Sequence, residues 1–213
     1  MEDRITITQP SQQSSKHTGQ LRAIYFDSFP PHVRVDFAYL LASIAQGGRW
    51  LFAATRDDDL LGMAIVVPHV ASDFHLLEYL AVARDTRSAG IGSMLLQHIV
   101  ARMRAQGDGA GMFIEVESDD EGDPVEKSLR ARRIGFYKRH GARMVECAPD
   151  YRAPLADSDG TMRMKLLWLA INENAPVPHG AKLRECLRGI LVTSYQLDPA
   201  SPLIQAVLED LMC

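Results

Sequence analysis

Apolar positions recur along the chain with two periods, about two and about 3.6 residues, and the changes between them mark out the elements. Residues 5–8 alternate as a short strand that Pro10 ends, and the polar stretch 11–18 predicts a loop. From Gln20 the period is helical, with Leu21, Ile24, Tyr25 and Ser28 on one face. Phe29-Pro30-Pro31 breaks that helix, because proline does not extend a preceding helix. Val33, Phe37, Leu40, Leu41 and Ile44 repeat at helical spacing, and Gly47-Gly48 stops the second helix. Two compact apolar runs, 50–55 and 60–67, flank Arg56-Asp57-Asp58-Asp59 and predict an antiparallel hairpin with a solvated tip. Residues 75–82 predict a strand, and 91–105 a helix with Ile91, Met94, Leu95, Ile99 and Met103 on one face. Residues 112–117 predict another strand. Strand, helix, strand in that order implies a right-handed crossover and a parallel pair.

Further along, 127–140 predicts a helix closed by Gly141, with late strands at 142–147 and 162–169. The tail from Ile171 has a joint at Pro176 and Pro178. A helix follows, lined on one side by Leu183, Leu187, Ile190, Leu191 and Ser194, and then a last short helix to Met212. The tail is too small to bury a core alone, so the expected organisation is one domain over 1–170 with an extension, 171–213, packed on it.

Composition narrows the function classes. At 213 residues and 46 % hydrophobic the chain can bury a sizeable core, and a formal net charge of -4 without a basic stripe argues against nucleic acid and acidic membranes as partners. Cys147, Cys186 and Cys213 are odd in number and far apart, which argues against a disulfide framework or a zinc site. The Asp57–Asp59 run lacks the further ligands of a calcium loop, so no metal is expected. Met1-Glu2-Asp3-Arg4 does not open a signal peptide and no apolar stretch is long enough to span a bilayer, so a cytoplasmic location is expected.

The candidate chemistry lies at Arg87-Ser88-Ala89-Gly90-Ile91-Gly92-Ser93, between a strand and an amphipathic helix. Such a turn aims backbone N–H groups at one point, the helix dipole adds partial positive charge, and glycine permits close approach of a phosphate. Arg87 adds a full charge. No Gly-Lys-Ser/Thr ends the run, so it is not a P-loop, and Leu95 stands where the dinucleotide fingerprint needs a small residue. Taken alone, a Gly-x-Gly turn reads better as a plain connector between strand and helix.

With its surroundings the turn says more. Glu78-Tyr79-Leu80-Ala81-Val82, then Arg87-x-x-Gly90-x-Gly92 and its helix, resembles motif A of the GNAT N-acetyltransferase superfamily. The run from Arg133 through Tyr137 to Gly141-Ala142 resembles motif B, and the intervening strand 113–117 matches in place. The resemblance covers residues 4 to 169. It implies an α/β fold of α+β type: a mixed, twisted sheet flanked by helices, central parallel strands that splay apart, and here a C-terminal helical extension. It also implies acetyl-CoA, or another acyl-CoA, as co-substrate. The pantetheine arm would pair with backbone near Leu80, Ala81 and Val82, and the pyrophosphate would sit on Arg87, Ser88, Ala89, Gly90, Ile91, Gly92 and Ser93. Arg133 and its basic neighbours either form a solvated face or meet the adenosine phosphate.

By the same resemblance Glu78 is the candidate base and Tyr137 the residue that protonates the departing thiolate. Glu115 and Glu117 are rival carboxylates that either act as base or hold the amine. One departure stands out: relatives often carry asparagine early in the motif B helix, where this chain reads Leu129-Arg130-Ala131. The implied activity is acyl transfer from acyl-CoA to a primary amine, on a small molecule or a protein. A catalytically silent acyl-CoA-binding sensor or scaffold is the alternative, and homodimerisation through the tail helices a further reading.

Overall fold

The structure, a computed structural model, describes residues 4–10, 15–69, 72–87 and 89–212. Its elements run β1 (Thr6–Thr8), α1 (Ser15–Ser28), α2 (Phe37–Ala45), β2 (Trp50–Arg56), β3 (Asp59–His69), β4 (Phe74–Val82) and α3 (Ile91–Gln106). They continue with β5 (Gly111–Glu117), α4 (Pro124–Arg139), β6 (Arg143–Met144), β7 (Arg152–Pro154), β8 (Thr161–Ala170), α5 (Gly180–Thr193) and α6 (Pro202–Glu209). The strands form a mixed sheet of order β1-β2-β3-β4-β5-β8-β6, with β7 pairing β8 off that path. The expected α/β class with flanking helices is what is found.

Several boundaries differ from the periodicity, and at α1 and α4 the cause is visible. Helix α1 begins at Ser15, before Gln20, because its polar first turns find partners on the β2–β3 hairpin tip. Lys16 Nζ lies 3.0 Å from Asp59, His17 Nε2 3.1 Å from Asp58, and Gln20 donates to Asp59 at 3.0 Å. The expected loop at 11–18 thus gives way to helix from Ser15, and 11–14 lie outside the described residues. Helix α4 begins at Pro124 rather than 127. Asp123 accepts from the N–H of Val125 at 2.8 Å and of Glu126 at 2.9 Å, Glu126 reaches back to the Asp123 N–H at 3.0 Å, and Pro124 fills the first turn. The strand expected at 142–147 shrinks to Arg143–Met144, and the short β7, paired as Arg152↔Arg163, was hidden in the following loop. Helix α6 ends at Glu209, short of Met212.

The chain forms two compact units, 1–68 with 77–107, and 69–76 with 108–213. In the first, Leu21 and Tyr25 of α1, Leu40 of α2, Leu51, Met63 and Ile65 of the hairpin, and Tyr79 of β4 share one core. Burying each large apolar side chain contributes about 1.5–3 kcal/mol. Tyr25 and Tyr79 meet edge to face at 5.1 Å. Gly62 permits the close approach of α3: a Cβ there would lie 3.0 Å from the Ala81 carbonyl oxygen and 3.1 Å from Ile91 Cγ2.

In the second unit, Phe113 stands edge-on to Phe74 at 5.4 Å and to Trp168 at 4.8 Å. Gly111 is required beside that indole, since a Cβ would fall 2.2 Å from Trp168 Cζ2. Residues 171–213 belong to this unit. Leu183, Cys186, Leu187, Ile190 and Leu191 of α5 are buried, as are Ile204, Val207 and Leu208 of α6. The Met212 N–H donates to the Cys147 carbonyl at 2.9 Å, and Arg143 to that of Ala175 at 3.2 Å. Among the described residues no helix is long and apolar enough to cross a membrane.

Candidate active site

In the first unit, β4 leads directly into the turn that the sequence singles out. Ala81 is buried, Leu80 and Val82 are half-buried, and the Ala83 N–H donates to the Leu61 carbonyl at 2.8 Å. A single 3₁₀ turn follows at Arg84–Thr86. Gly90 then adopts φ 78°, ψ 1° as the N-cap of α3, a left-handed conformation that costs glycine little. Among the described residues no side chain caps this helix, so its first-turn N–H groups, those of Ile91, Gly92 and Ser93, suit an external acceptor. Nothing lies within 4 Å of where a Cβ on Gly90 would project. Ser88 is outside the described residues. Arg87 Nη2 lies 3.1 Å from Asp27 and Arg84 Nη2 2.6 Å from the same carboxylate, so both guanidinium groups are gathered on one α1 side chain.

Glu78, four residues upstream of Val82, is held by an arginine that periodicity did not flag. Arg49 Nε and Nη2 each donate to one Glu78 oxygen at 2.7 Å. The Arg49 side chain is 2 % exposed and that of Glu78 10 %. Gly47, at φ 79°, turns the chain off α2 so that Arg49 points inward, where it also donates to Ser43 Oγ at 3.1 Å and to Tyr39 Oη at 3.3 Å. Burial pushes the Glu78 carboxyl above its ordinary value and the Arg49 charge opposes that shift without cancelling it.

In the second unit, β5 buries Ile114 and Val116 and presents Glu115 and Glu117 on its other face. Glu117 accepts from Arg130 Nε at 2.8 Å, and Arg133 Nη1 lies 3.9 Å from its other oxygen. Glu115 has a different environment: the Tyr151 hydroxyl donates to Oε1 and the Tyr195 hydroxyl to Oε2, the latter at 2.8 Å. Contact with Glu115 and burial push the Tyr151 phenol well up, burial being the larger cause. Tyr137, on α4, is half-buried, and desolvation raises its hydroxyl to about 12 against the opposing charge of Arg133. Asp120 pairs with Lys165 and Arg163.

The structure therefore groups the predicted residues as follows. Glu78, Leu80, Ala81, Val82 and the Arg87–Gly92 turn lie on one continuous run, and Glu117 with Arg133 form a second pair. Arg49, Asp27, Tyr151 and Tyr195 went unassigned. The Gly47-Gly48-Arg49 turn was the only local signal among them. Among the described residues no cluster of three or more His, Cys, Asp or Glu could hold a metal.

Comparison with known proteins bears on this arrangement. No curated protein sequence matches the chain. An acetyltransferase of the GNAT family from Bacteroides thetaiotaomicron superposes with TM-score 0.71 at 20 % identity, over 91 % of this chain and 99 % of the other. An aminoglycoside 6′-N-acetyltransferase complexed with coenzyme A gives 0.61 at 18 % identity, over 82 % and 99 %. The ribosomal-protein-S18-alanine N-acetyltransferase from Escherichia coli gives 0.57 at 20 % identity, over 82 % and 100 %. These likenesses show the fold. The family model for GNAT acetyltransferases matches residues 18–142, which takes in α1 from its second turn, the Gly90 turn and the whole of α4, and the chain belongs to that family.

Proposed function

We propose that the protein transfers an acetyl or similar acyl group from acyl-CoA to a primary amine by direct attack on the thioester. The observation that carries this reading is the uncapped N-terminus of α3 behind a left-handed Gly90, with Arg87 beside it, in a chain of the GNAT family. The Ile91, Gly92 and Ser93 N–H groups and Arg87 suit a diphosphate, and the backbone of Leu80, Ala81 and Val82 suits the amide-bearing arm of the donor.

The acceptor arrives as an ammonium ion, with pKa of about 10, and must lose one proton before its lone pair can form the C–N bond. The thioester oxygen then carries negative charge, which a backbone N–H near Val82 is suited to receive. Collapse breaks the C–S bond, the thiolate takes a proton, and the new C–N nitrogen gives up its second proton to leave the neutral amide, which restores the proton lost by the group that protonated the thiolate. Tyr137 is assigned that role, since a phenol raised to about 12 keeps its proton throughout the neutral range.

The three carboxylates differ as bases. A proton on Glu78 would strand the Arg49 cation in a nearly sealed site, and one on Glu117 would weaken its hold on Arg130. Glu115 accepts from the two neutral hydroxyls of Tyr151 and Tyr195, and in this reading Glu115 takes the proton. Glu78 is then the buried anion that orders β4 next to the donor-binding run, and retains the base role only if Arg49 moves aside.

The test is coenzyme A binding by calorimetry, followed by thiol release from acetyl-CoA with a panel of small amines and peptides. Binding and amine-dependent release are expected, with release reduced at least tenfold in Glu115→Gln and Tyr137→Phe at unchanged donor affinity. Tight donor binding without release on any amine would establish the silent binding module instead. Absence of binding to any coenzyme A derivative would overturn both.

A further inference from the structure

We propose that α4 is a self-association surface, its outward face pairing antiparallel with the same face of a second copy of this chain. The inference stands apart from the acyl-transfer reading and concerns a face of the second unit that the reading does not use.

Of the 16 residues of α4, Ile134 alone is buried, and it marks the inward side of the helix. Val125 lies about two and a half turns before it and so points directly outward. Val125 is 68 % exposed and Leu129, one turn on, 48 %, an apolar pair that packs against nothing in its own unit. Exposed Arg132 and half-buried Phe136 continue the line. The spacing from Val125 to Leu129, Arg132 and Phe136 is the alternation of four and three that keeps one stripe of a helix turned toward a partner helix. An arginine in such a stripe covers apolar surface with its stem and keeps its charge in water. The tail helices have no comparable face. The apolar sides of α5 and α6 are buried in the second unit, and Met212 is the one large exposed hydrophobic among the described residues of the tail.

Charge names the occupant. Exposed Glu121, Asp123 and Glu126 stand at the start of α4, and exposed Arg132, Lys138 and Arg139 in its second half. Among the described residues none of the six takes part in an ion pair. An acidic start and a basic end also suit the helix dipole, so segregation alone names no partner. With an apolar stripe between the two ends, the face becomes complementary to itself. A two-fold axis crossing α4 near residues 130 and 131 sets Val125 against the second copy's Phe136 and Leu129 against the second copy's Arg132 stem. The same axis sets Glu121 and Asp123 opposite the second copy's Arg139 and Lys138. A wholly acidic or wholly basic partner, or a parallel copy, would meet like charge at one end. The helix is about 24 Å long, a shorter strip than a permanent interface needs, so the expected dimer is weak, with a micromolar dissociation constant.

The experiment is sedimentation velocity on the full chain from about 5 to about 500 µM. A reversible monomer–dimer equilibrium is expected, weakening severalfold as salt is raised. Leu129→Glu should weaken association at least tenfold while the circular dichroism spectrum and melting temperature stay in place, since the side chain is exposed. Leu129→Ser repeats the test without an added charge. Glu121→Lys and Arg139→Glu should each weaken the dimer about fivefold, and the two together should restore it, because both ends are then reversed and again complementary. Charges that served only the helix dipole would give a double variant no better associated than the single ones, and that result overturns the proposal. A wild-type chain that stays monomeric across the range overturns it too. So does a dimer that survives both Leu129 variants, which would place the interface elsewhere, the tail helices included. None of these outcomes bears on coenzyme A binding, so acyl transfer stands or falls separately.

Discussion

The two units stabilise a glutamate on a central strand by opposite means. In the first, Glu78 of β4 is locked by Arg49 through two 2.7 Å bonds, and Tyr39 and Ser43 take up further guanidinium donors. In the second, Glu115 of β5 is held by two tyrosine hydroxyls, and the nearby polar interior, His69 stacked on Phe74 and His75 bonded to the Asp108 carbonyl, is kept neutral by burial. A buried ion pair resists losing either member, because the survivor is an uncompensated charge. A carboxylate held by hydroxyls can gain or lose a proton while its partners only reorient. In the proposed mechanism the first arrangement is structural and the second takes part in proton transfer.

The largest expected effect follows from breaking the pair. Arg49→Met should cost about 3–5 kcal/mol by chemical denaturation, while Arg49→Met with Glu78→Leu should recover most of that loss. A double variant no more stable than the single one would show that Glu78 is not the reason Arg49 is needed. The second prediction concerns acid. Burial lowers the His69 imidazole from its ordinary value to about 4. The folded chain therefore stays neutral there while the unfolded chain binds a proton below about pH 6.5. That stability is complete above pH 6.5 and is lost as pH falls toward about 4, a loss of about 2–3 kcal/mol. Denaturation midpoints at pH 7.5, 6, 5 and 4 should trace it, and His69→Phe, which keeps the stack on Phe74, should flatten the decline.

A smaller effect is expected at Gly62. Its replacement by valine overpacks against the Ala81 carbonyl and Ile91, at about 1–3 kcal/mol, and displaces the start of α3. Coenzyme A affinity should fall about tenfold in Gly62→Val, read by calorimetry at a temperature where the variant is folded. The smallest concerns Asp27, the exposed carboxylate shared by Arg84 and Arg87. Asp27→Asn removes a competitor for the donor phosphates. It should tighten coenzyme A binding up to about fivefold, within the range of a surface ion pair, and steepen its dependence on salt. Unchanged affinity would mean that Arg87 is not part of the donor site.

What could be read along the chain were features whose cause is local. The strand 75–82, the glycine turn and the stripe of Ile91, Leu95 and Ile99 are neighbours in sequence. Hydrophobic period and glycine chemistry express them directly, and their order implied a crossover and a parallel pair, while the mixed sheet was implied by the family resemblance. The early start of α4 was also written locally, in Asp123-Pro124-Val125-Glu126, although periodicity alone did not reveal it.

The partners of the carboxylates were of another kind. Arg49 and Glu78 are 29 residues apart, Arg87 and Asp27 60, Tyr195 and Glu115 80. An arginine after a helix or a tyrosine at the end of a tail has no local feature that distinguishes a buried partner from a solvated side chain. The sequence by itself thus determined which segments become strand, turn and helix, because backbone preference and side-chain period act over a few residues. Tertiary structure alone decided which carboxylate is locked by a cation and which is held by hydroxyls. That depends on which distant side chains exclude water from it.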